Sequence, residues 1–351
     1  MPENAQKPAT THFPPAGAIL DNGALKLVEV QGLGIYRAQL SPRDNRPYAV
    51  RCLVFPDSPG HCRQMLIRGV LLHQLASDHI GIATLHRAFK QDGMLCVLLE
   101  SASDDYMSTQ IFQRGRYLGD NFLIKDIFLQ LIDAVEYIHS LGIYHRNLNP
   151  ASIVTFEDGF RVAITDFGQS TTWETLSEEF NVGNVFYMAP GCHGGQLAPE
   201  GRYYPRFSDI WSLGIIFLNI TTGRNPWRSA TLDDPAFAAY LQNPSGFLAS
   251  TLPVSRQFME LLVEILAIHS EYGQTVRELR IAIKKFHNFY SDIVMFEDCI
   301  ATLARRSEFP VYIYDEFLDV KMNSYPRTNL IHRISAAEVA AKLDSSAMNS
   351  K

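Results

Sequence analysis

The order of apolar and polar positions divides the chain into two regions of different period. Between Leu25 and Phe55, the runs LKLVEV, IYRAQL and YAVRCLVF alternate in character and are separated by the turn signals GLG and SPRDNRP, the pattern of an antiparallel meander. A helix is predicted from His61 to about Leu75, with Met65, Val70, Leu71 and Leu75 as its apolar positions, and ATLHRAF and MLCVLLE supply two more strands. Beyond the polar SASDD the period becomes helical: Ile124, Ile127, Phe128, Leu131, Ile132, Val135 and Ile138 recur at i, i+3, i+4 and i+7, the stripe of a helix laid against a core. Further buried helices are predicted over Asp209 to Thr222 and around Phe258, Leu261, Leu262, Ile265 and Leu266. Residues 1–18, with Pro2, Pro8, Pro14 and Pro15, read as a flexible arm, and 291–351 is less periodic, with IATLARR and SAAEVAAKL as candidate docking helices or caps.

Composition narrows the function classes. The chain has 351 residues, 46% of them hydrophobic, with 31 Lys and Arg against 37 Asp and Glu for a net charge of −6. That length suits two domains or one bilobal unit with a large core. A mildly acidic chain without a Lys/Arg block has no footprint for nucleic acid and no polybasic membrane anchor. The apolar stretch Ile210 to Ile220 carries Ser212, Gly214 and Asn219 and is about half the length that a bilayer requires, so it reads as a buried helix. The N-terminus lacks the basic start and apolar core of a signal peptide, so a cytoplasmic or nuclear location is expected. The five cysteines, Cys52, Cys62, Cys96, Cys192 and Cys299, form no C-x-x-C pair and are expected as reduced, partly buried thiols. His73, His79 and His86 have no carboxylate or thiol at ligand spacing and read as surface or packing residues.

Chemistry concentrates in four tracts: IYHRNLNPASIV (Ile143 to Val154), ITDFGQS (Ile164 to Ser170), FYMAPG (Phe186 to Gly191) and SDIWSLG (Ser208 to Gly214). In this order and spacing they resemble the large lobe of a eukaryotic protein kinase. The tracts EYIHSLGIYHR and TTGRNPW resemble fungal serine/threonine kinases in particular. The resemblance covers residues 20–290 and implies an α+β, bilobal protein kinase-like fold, with a small antiparallel β-rich N-lobe (19–102), a larger mainly helical C-lobe (103–290) and a C-terminal extension (291–351). It also implies ATP and magnesium as cofactors.

Phosphoryl transfer works by positioning the two substrates and neutralising phosphate charge, so each part of the resemblance can be audited. The family's catalytic loop reads H-R-D-L-K-P-x-N. Its Asp accepts the substrate hydroxyl proton, its Lys touches the transferring phosphate and its Asn holds a metal ion. Here those positions are Asn147, Asn149 and Ser152. An amide cannot accept the proton, a loss worth roughly 10²–10⁴ in rate, and Asn149 removes a positive charge from the place where negative charge develops. In the small lobe, Ala49 keeps its place in the nucleotide-binding strand, but Arg51 stands where the family has Lys, a planar fork in place of a compact ammonium. The Glu that would pair with that Lys aligns with Gly69. Gly32 and Gly34 fall in a phosphate-covering loop that is several residues short, and the hinge backbone corresponds to Leu99 to Ser101.

Asp166 of D-F-G is retained as a magnesium ligand, with His145 and Arg146 beside the missing base, and Asp209, Trp211 and Arg224 match positions that brace the catalytic loop. The buried ion pair that closes the activation segment has lost both partners, since Gly191 replaces its Glu and Tyr272 and Gly273 stand where its Arg would be. Asn184 replaces the Ser or Thr that follows Gly183, and Thr171, Thr172, Thr175 and Ser177 are candidate phosphorylation sites near Arg146. Three readings follow. The first is a catalytically impaired kinase fold, a pseudokinase, binding other signalling proteins such as an active kinase. The second is an active serine/threonine kinase, and the third an ATP-binding switch without turnover.

Overall fold

The computed structural model describes residues 13–40, 46, 48–54, 61–102, 105–268 and 275–291. They divide into two compact units, the first formed by residues up to 67 and by 85–101, the second by 68–84 and the described residues from 102 onward.

The first unit is an antiparallel sheet in the order β1-β2-β3-β4-β6-β5, built from β1 (Ile19–Leu20), β2 (Leu25–Gly32), β3 (Ile35–Gln39), β4 (Tyr48–Val54), β5 (Leu85–Gln91) and β6 (Met94–Glu100). Alternation does the sorting. Tyr48, Val50 and Cys52 of β4 join Leu25, Leu27, Tyr36, Met94, Cys96 and Leu98 in one apolar cluster. Ala49 and Arg51 therefore fall on the other face, opposite their cross-strand partners Leu99 and Val97. Residues 13–18, assigned above to a flexible arm, run onto the sheet: Gly17 N–H donates to Leu27 O at 2.8 Å, and Phe13 and Ala18 pack against the cluster. Residues 1–12, Tyr272, Gly273, Cys299 and the tail from 292, with its two helical candidates, lie outside the described residues.

Helix α1 (His61–Ala76) contributes to both units, its residues from Arg68 onward grouping with the second. That unit is built around α2 (Asn121–Ser140), whose start is capped by Asp120 accepting Leu123 N–H at 2.9 Å. The predicted stripe of α2 is buried, and the helix packs against β8 (Arg161–Ile164), α3 (Pro205–Thr222) and α7 (Val276–Lys285). Between α3 and α7 run α4 (Pro235–Gln242), α5 (Pro244–Thr251) and α6 (Arg256–Ile265). Proline opens α3, α4 and α5, where its missing N–H has no intrahelical partner to lose. Helix α3 is buried on nearly every side, which explains its largely apolar text, and among the described residues no helix is long and apolar enough to cross a membrane. Strand β7 (Ile153–Phe156) pairs with β8 in a short hairpin, and the loops entering and leaving that hairpin carry the chemically distinctive residues.

Candidate functional site

The loop before β7 is held from beneath by one carboxylate. Asp209 is fully buried and accepts His145 N–H (2.8 Å), Arg146 N–H (2.8 Å) and the ring of His139 through Nε2 (2.9 Å). Two successive amides converging on one carboxylate hold Arg146 at φ 65°, a left-handed conformation that a non-glycine residue adopts only when its surroundings enforce it. His145 is wholly enclosed; burial pushes its pKa below the ordinary histidine range, with Asp209 opposing. The neutral ring donates from Nε2 to Thr165 O (2.9 Å) and accepts Asn147 N–H at Nδ1 (3.3 Å), which fixes its tautomer.

Asn147, Asn149 and Ser152, the three substituted positions of the catalytic loop, bond to one another. Asn149 is buried and caps the short 3₁₀ turn Pro150–Ser152: its Oδ1 accepts Ala151 N–H at 2.9 Å, so Nδ2 faces the other way. That Nδ2 donates to Asn147 O (2.8 Å) and to Asn147 Oδ1 (3.3 Å). The Ser152 hydroxyl shares its proton between Asn147 O (3.0 Å) and Asn149 O (2.9 Å) and accepts Asn149 N–H at 3.1 Å. A closed local network satisfies groups that would otherwise face a substrate, and Ser and Asn are the residue types that favour such side-chain to backbone bonds.

The loop after β8 carries Asp166 at φ 64°, ψ 58°, followed by a 3₁₀ turn from Phe167 to Gln169. Phe167 is buried between two imidazoles, stacked on His73 at 4.6 Å and edge-on to His145 at 4.9 Å. Directly above it runs α1. A Cβ at Gly69 would lie 2.7 Å from Phe167 O and 2.8 Å from Gly168 Cα, both backbone atoms, so the helix approaches too closely for any side chain. The position aligned with the family's ion-pairing Glu is thus sterically closed. A Gly69→Ala change is expected to destabilise the protein by about 1–3 kcal/mol through overpacking, against the roughly 1 kcal/mol that the same change gains in an open helix. An unchanged or raised denaturation midpoint would refute this close approach.

Arg146 is 3% exposed and reaches the segment after β8. Its Nη1 makes a short ion pair with Glu179 Oε2, and its Nη2 donates to Glu179 O at 3.2 Å, an oxygen that also accepts Tyr203 Oη–H at 2.9 Å. Arg68 of α1 approaches the same carboxylate at 3.9 Å; burial lowers the pKa of its guanidinium, with Glu179 opposing. A buried and a half-buried cation share one carboxylate, and Arg68 Nε and Arg146 Nε have no hydrogen-bond partner. Nearby, Gly183 at φ 114° places its Cα against Arg146 O, where a Cβ would come within 2.6 Å. Asn184 turns the chain by accepting Phe186 N–H at 3.1 Å. Gly191 lines a cavity of about 390 Å³ with Tyr203, Phe207 and Trp211, whose indole N–H has no partner.

The remaining candidates belong to the sheet unit. Gly32 pairs with Ile35, leaving only Leu33 and Gly34 in the β2–β3 turn. Gly34, at φ 68°, is pressed onto its own sheet: a Cβ there would meet Cys52 O and Phe13 at 2.7 Å, and its carbonyl accepts Cys52 N–H at 2.7 Å. Ala49, Arg51 and Leu99 share the face opposite the apolar cluster.

Several expectations change. Of the three residues matched to bracing positions, Asp209 is the one seen holding the catalytic loop; Arg224 Nη2 bonds to Thr251 O, and Trp211 packs near Trp227 and Phe237. Thr171 is fully buried and exchanges two 2.9 Å backbone bonds with Tyr144, so it is closed to modification, whereas Thr172, Thr175 and Ser177 are exposed. His73 is a packing residue, as expected: it is buried, with Nε2 bonded to Ala83 O at 2.7 Å. Glu179 escaped the sequence reading, although a buried Arg146 demands a nearby acid and its segment offers Glu174, Glu178 and Glu179.

Comparison with known proteins agrees with this geometry. Residues 36–280 match the family described as protein kinase domain. The chain is 33% identical over 286 residues to the Schizosaccharomyces pombe protein named negative regulator of sexual conjugation and meiosis, covering 76% of this chain and 60% of that one. It is 27% identical over 233 residues to the Saccharomyces cerevisiae serine/threonine-protein kinase VHS1, covering 64% of this chain and 50% of that one. It is 42% identical over 201 residues to the S. pombe serine/threonine-protein kinase ksp1, covering 55% of this chain and 41% of that one. The chain therefore spans 41–60% of the length of these relatives. With its bilobal plan of antiparallel sheet and helical region and its matched segment, the chain belongs to the protein kinase domain family, related to fungal serine/threonine kinases.

Proposed function

We propose that this kinase-fold protein has lost efficient phosphoryl transfer and acts as a regulator in cytoplasmic or nuclear signalling by binding other proteins, an active kinase among them. The observation that carries this reading is the closed network of Asn147, Asn149 and Ser152. Each side chain stands where the family has a base, a phosphate contact or a metal ligand, and Asn149 and Ser152 spend their side-chain polar atoms on the loop itself, with Asn147 Oδ1 accepting from Asn149.

The donor set fits ATP and magnesium poorly. Asp166 is the one carboxylate at the family's metal-binding positions, and the Ser152 hydroxyl is committed to backbone oxygens. A magnesium ion dehydrates reluctantly and demands near-octahedral oxygen ligation. The β2–β3 turn offers a two-residue hairpin folded onto its own sheet in place of a glycine-rich cover, and Gly69 carries no carboxylate. These departures act on different parts of the reaction, so one reversion does not restore it. The scaffold that shapes a protein-binding surface, by contrast, is intact: Asp209 braces the loop and Glu179 anchors the segment beyond it.

A second reading, an active serine/threonine kinase, rests on Asp166, held in a left-handed conformation above a fully packed Phe167. Thermal denaturation with ATP separates the two. A ligand at about 100 times its dissociation constant adds about 2.7 kcal/mol of stability. The melting temperature is expected to stay unchanged in millimolar ATP with or without magnesium. A magnesium-dependent rise that Asp166→Ala removes would favour the nucleotide-binding readings.

A further inference from the structure

We propose that Cys52 and Cys96 form a peroxide-driven disulfide site within the sheet unit, closing across adjacent strands. The two residues are direct cross-strand partners in the β4–β6 register, and their sulfurs stand 3.7 Å apart. The type of pair matters. A strand residue directs its N–H and C=O to the same side, and Cys52 N–H is spent on Gly34 O toward β3. Toward β6 the pair is therefore of the non-hydrogen-bonded kind, in which the Cα atoms approach to about 4.5 Å and side chains come closest. That separation falls inside the roughly 4.4–6.8 Å range of disulfides. Closing the sulfurs to bonding distance, about 2.05 Å, is a matter of side-chain rotation.

The surroundings decide which oxidant reacts. Cys52 is 3% exposed and Cys96 fully buried, both inside the apolar cluster that includes Tyr36 and Met94. A bulky disulfide such as oxidised glutathione cannot reach them, whereas a small uncharged hydroperoxide can follow the breathing of the sheet. Cys52 keeps a trace of exposure where Cys96 has none, and its hydrogen bond with Cys96 lowers its pKa, so Cys52 is the nucleophile and Cys96 the resolving thiol. The Cys52 thiolate attacks one peroxide oxygen and the O–O bond breaks. The leaving hydroxide takes up a proton, and Cys52 becomes a sulfenic acid. Cys96 sulfur then attacks Cys52 sulfur, the S–O bond breaks, and water departs with the Cys96 proton. The two sulfurs lose two electrons in total, and the peroxide gains them.

Cys192, the other described cysteine whose side chain is placed, lacks this arrangement. It donates to Ser208 Oγ at 3.2 Å, and burial pushes its thiol up to about 11. The cross-link would fasten β4, which carries Ala49 and Arg51, to β6, which carries Leu99, and so freeze the strand pair bearing the first unit's candidate nucleotide residues.

The test is non-reducing peptide mapping by mass spectrometry of the purified full chain after prolonged treatment with millimolar hydrogen peroxide or with oxidised glutathione, free thiols being alkylated under denaturing conditions. The expected result is a Cys52–Cys96 peptide pair two hydrogen atoms lighter than its parts, formed with peroxide, absent with glutathione disulfide, and reopened by dithiothreitol. A Cys192→Ala variant is expected to give the same pair and a Cys96→Ala variant none. Recovery of Cys52 and Cys96 as alkylated thiols after peroxide, oxidation of Cys52 beyond the sulfenic state without a cross-link, or pairing of either with another cysteine would overturn the proposal. Because the mapping is done on the unmodified chain, it stands even if a variant folds poorly.

Discussion

An Asp209→Ala variant is expected to lose about 3–5 kcal/mol of stability, the range measured when one partner of a buried charged network is removed. Three donors then lose their acceptor together: the amides of His145 and Arg146 and the ring of His139, all in a fully buried setting. Without that carboxylate nothing compensates the left-handed backbone at Arg146. A loss of this size is a large fraction of the roughly 5–15 kcal/mol that holds an ordinary domain folded. Urea denaturation followed by circular dichroism measures it, and a loss below about 1 kcal/mol would mean that the loop is braced elsewhere.

Glu179→Gln is expected to cost about 2–3 kcal/mol, less than a fully enclosed pair because 20% of the Glu179 side chain is exposed. The amide keeps the shape of the carboxylate and removes its charge, leaving the buried Arg146 and the half-buried Arg68 without that counter-ion. The segment they hold should then open. Raised protease cleavage between Thr172 and Phe180, with the remaining helices protected, is the expected signature. The diagnostic step is a double-mutant cycle with Arg146→Met. Removing both partners of a buried pair can be nearly neutral, so the double variant should recover stability relative to Glu179→Gln alone. Strict additivity would show that the two residues do not interact.

Periodicity made most of the fold legible. The five strands from β2 to β6, together with α1, α2, α3 and α6, stand where the apolar pattern puts them: one-sided burial writes a period into most of them, while β6 and α3, buried on both sides, show as apolar runs. What escaped lies where a single local contact overrides any pattern. Strand β1 is two residues long and cannot display alternation. The docking of Phe13 and Ala18 rests on a few contacts with the sheet core.

The candidate site was legible as a set of positions and not as a set of bonds. Aligning Asn147, Asn149 and Ser152 with a catalytic loop says what chemistry is missing. That the three satisfy one another depends on which way the Asn149 amide turns, and a sequence does not record that. Gly69 is a parallel case: in the text it is a missing carboxylate, and in the fold it is a contact with the Phe167 backbone. Glu179 and the Cys52–Cys96 pair both needed long-range geometry, the first a path across the segment after β8, the second a strand register.

The central claim, that the loop before β7 is organised for structure and not for transfer, is tested most directly by phosphate incorporation. Purified full-length protein is incubated with radiolabelled ATP and magnesium or manganese in the presence of several protein acceptors, alongside an Asp166→Ala variant of matched folding. Incorporation equal to that of the variant is expected with every acceptor. Time-dependent labelling by the unmodified chain that Asp166→Ala abolishes would contradict it.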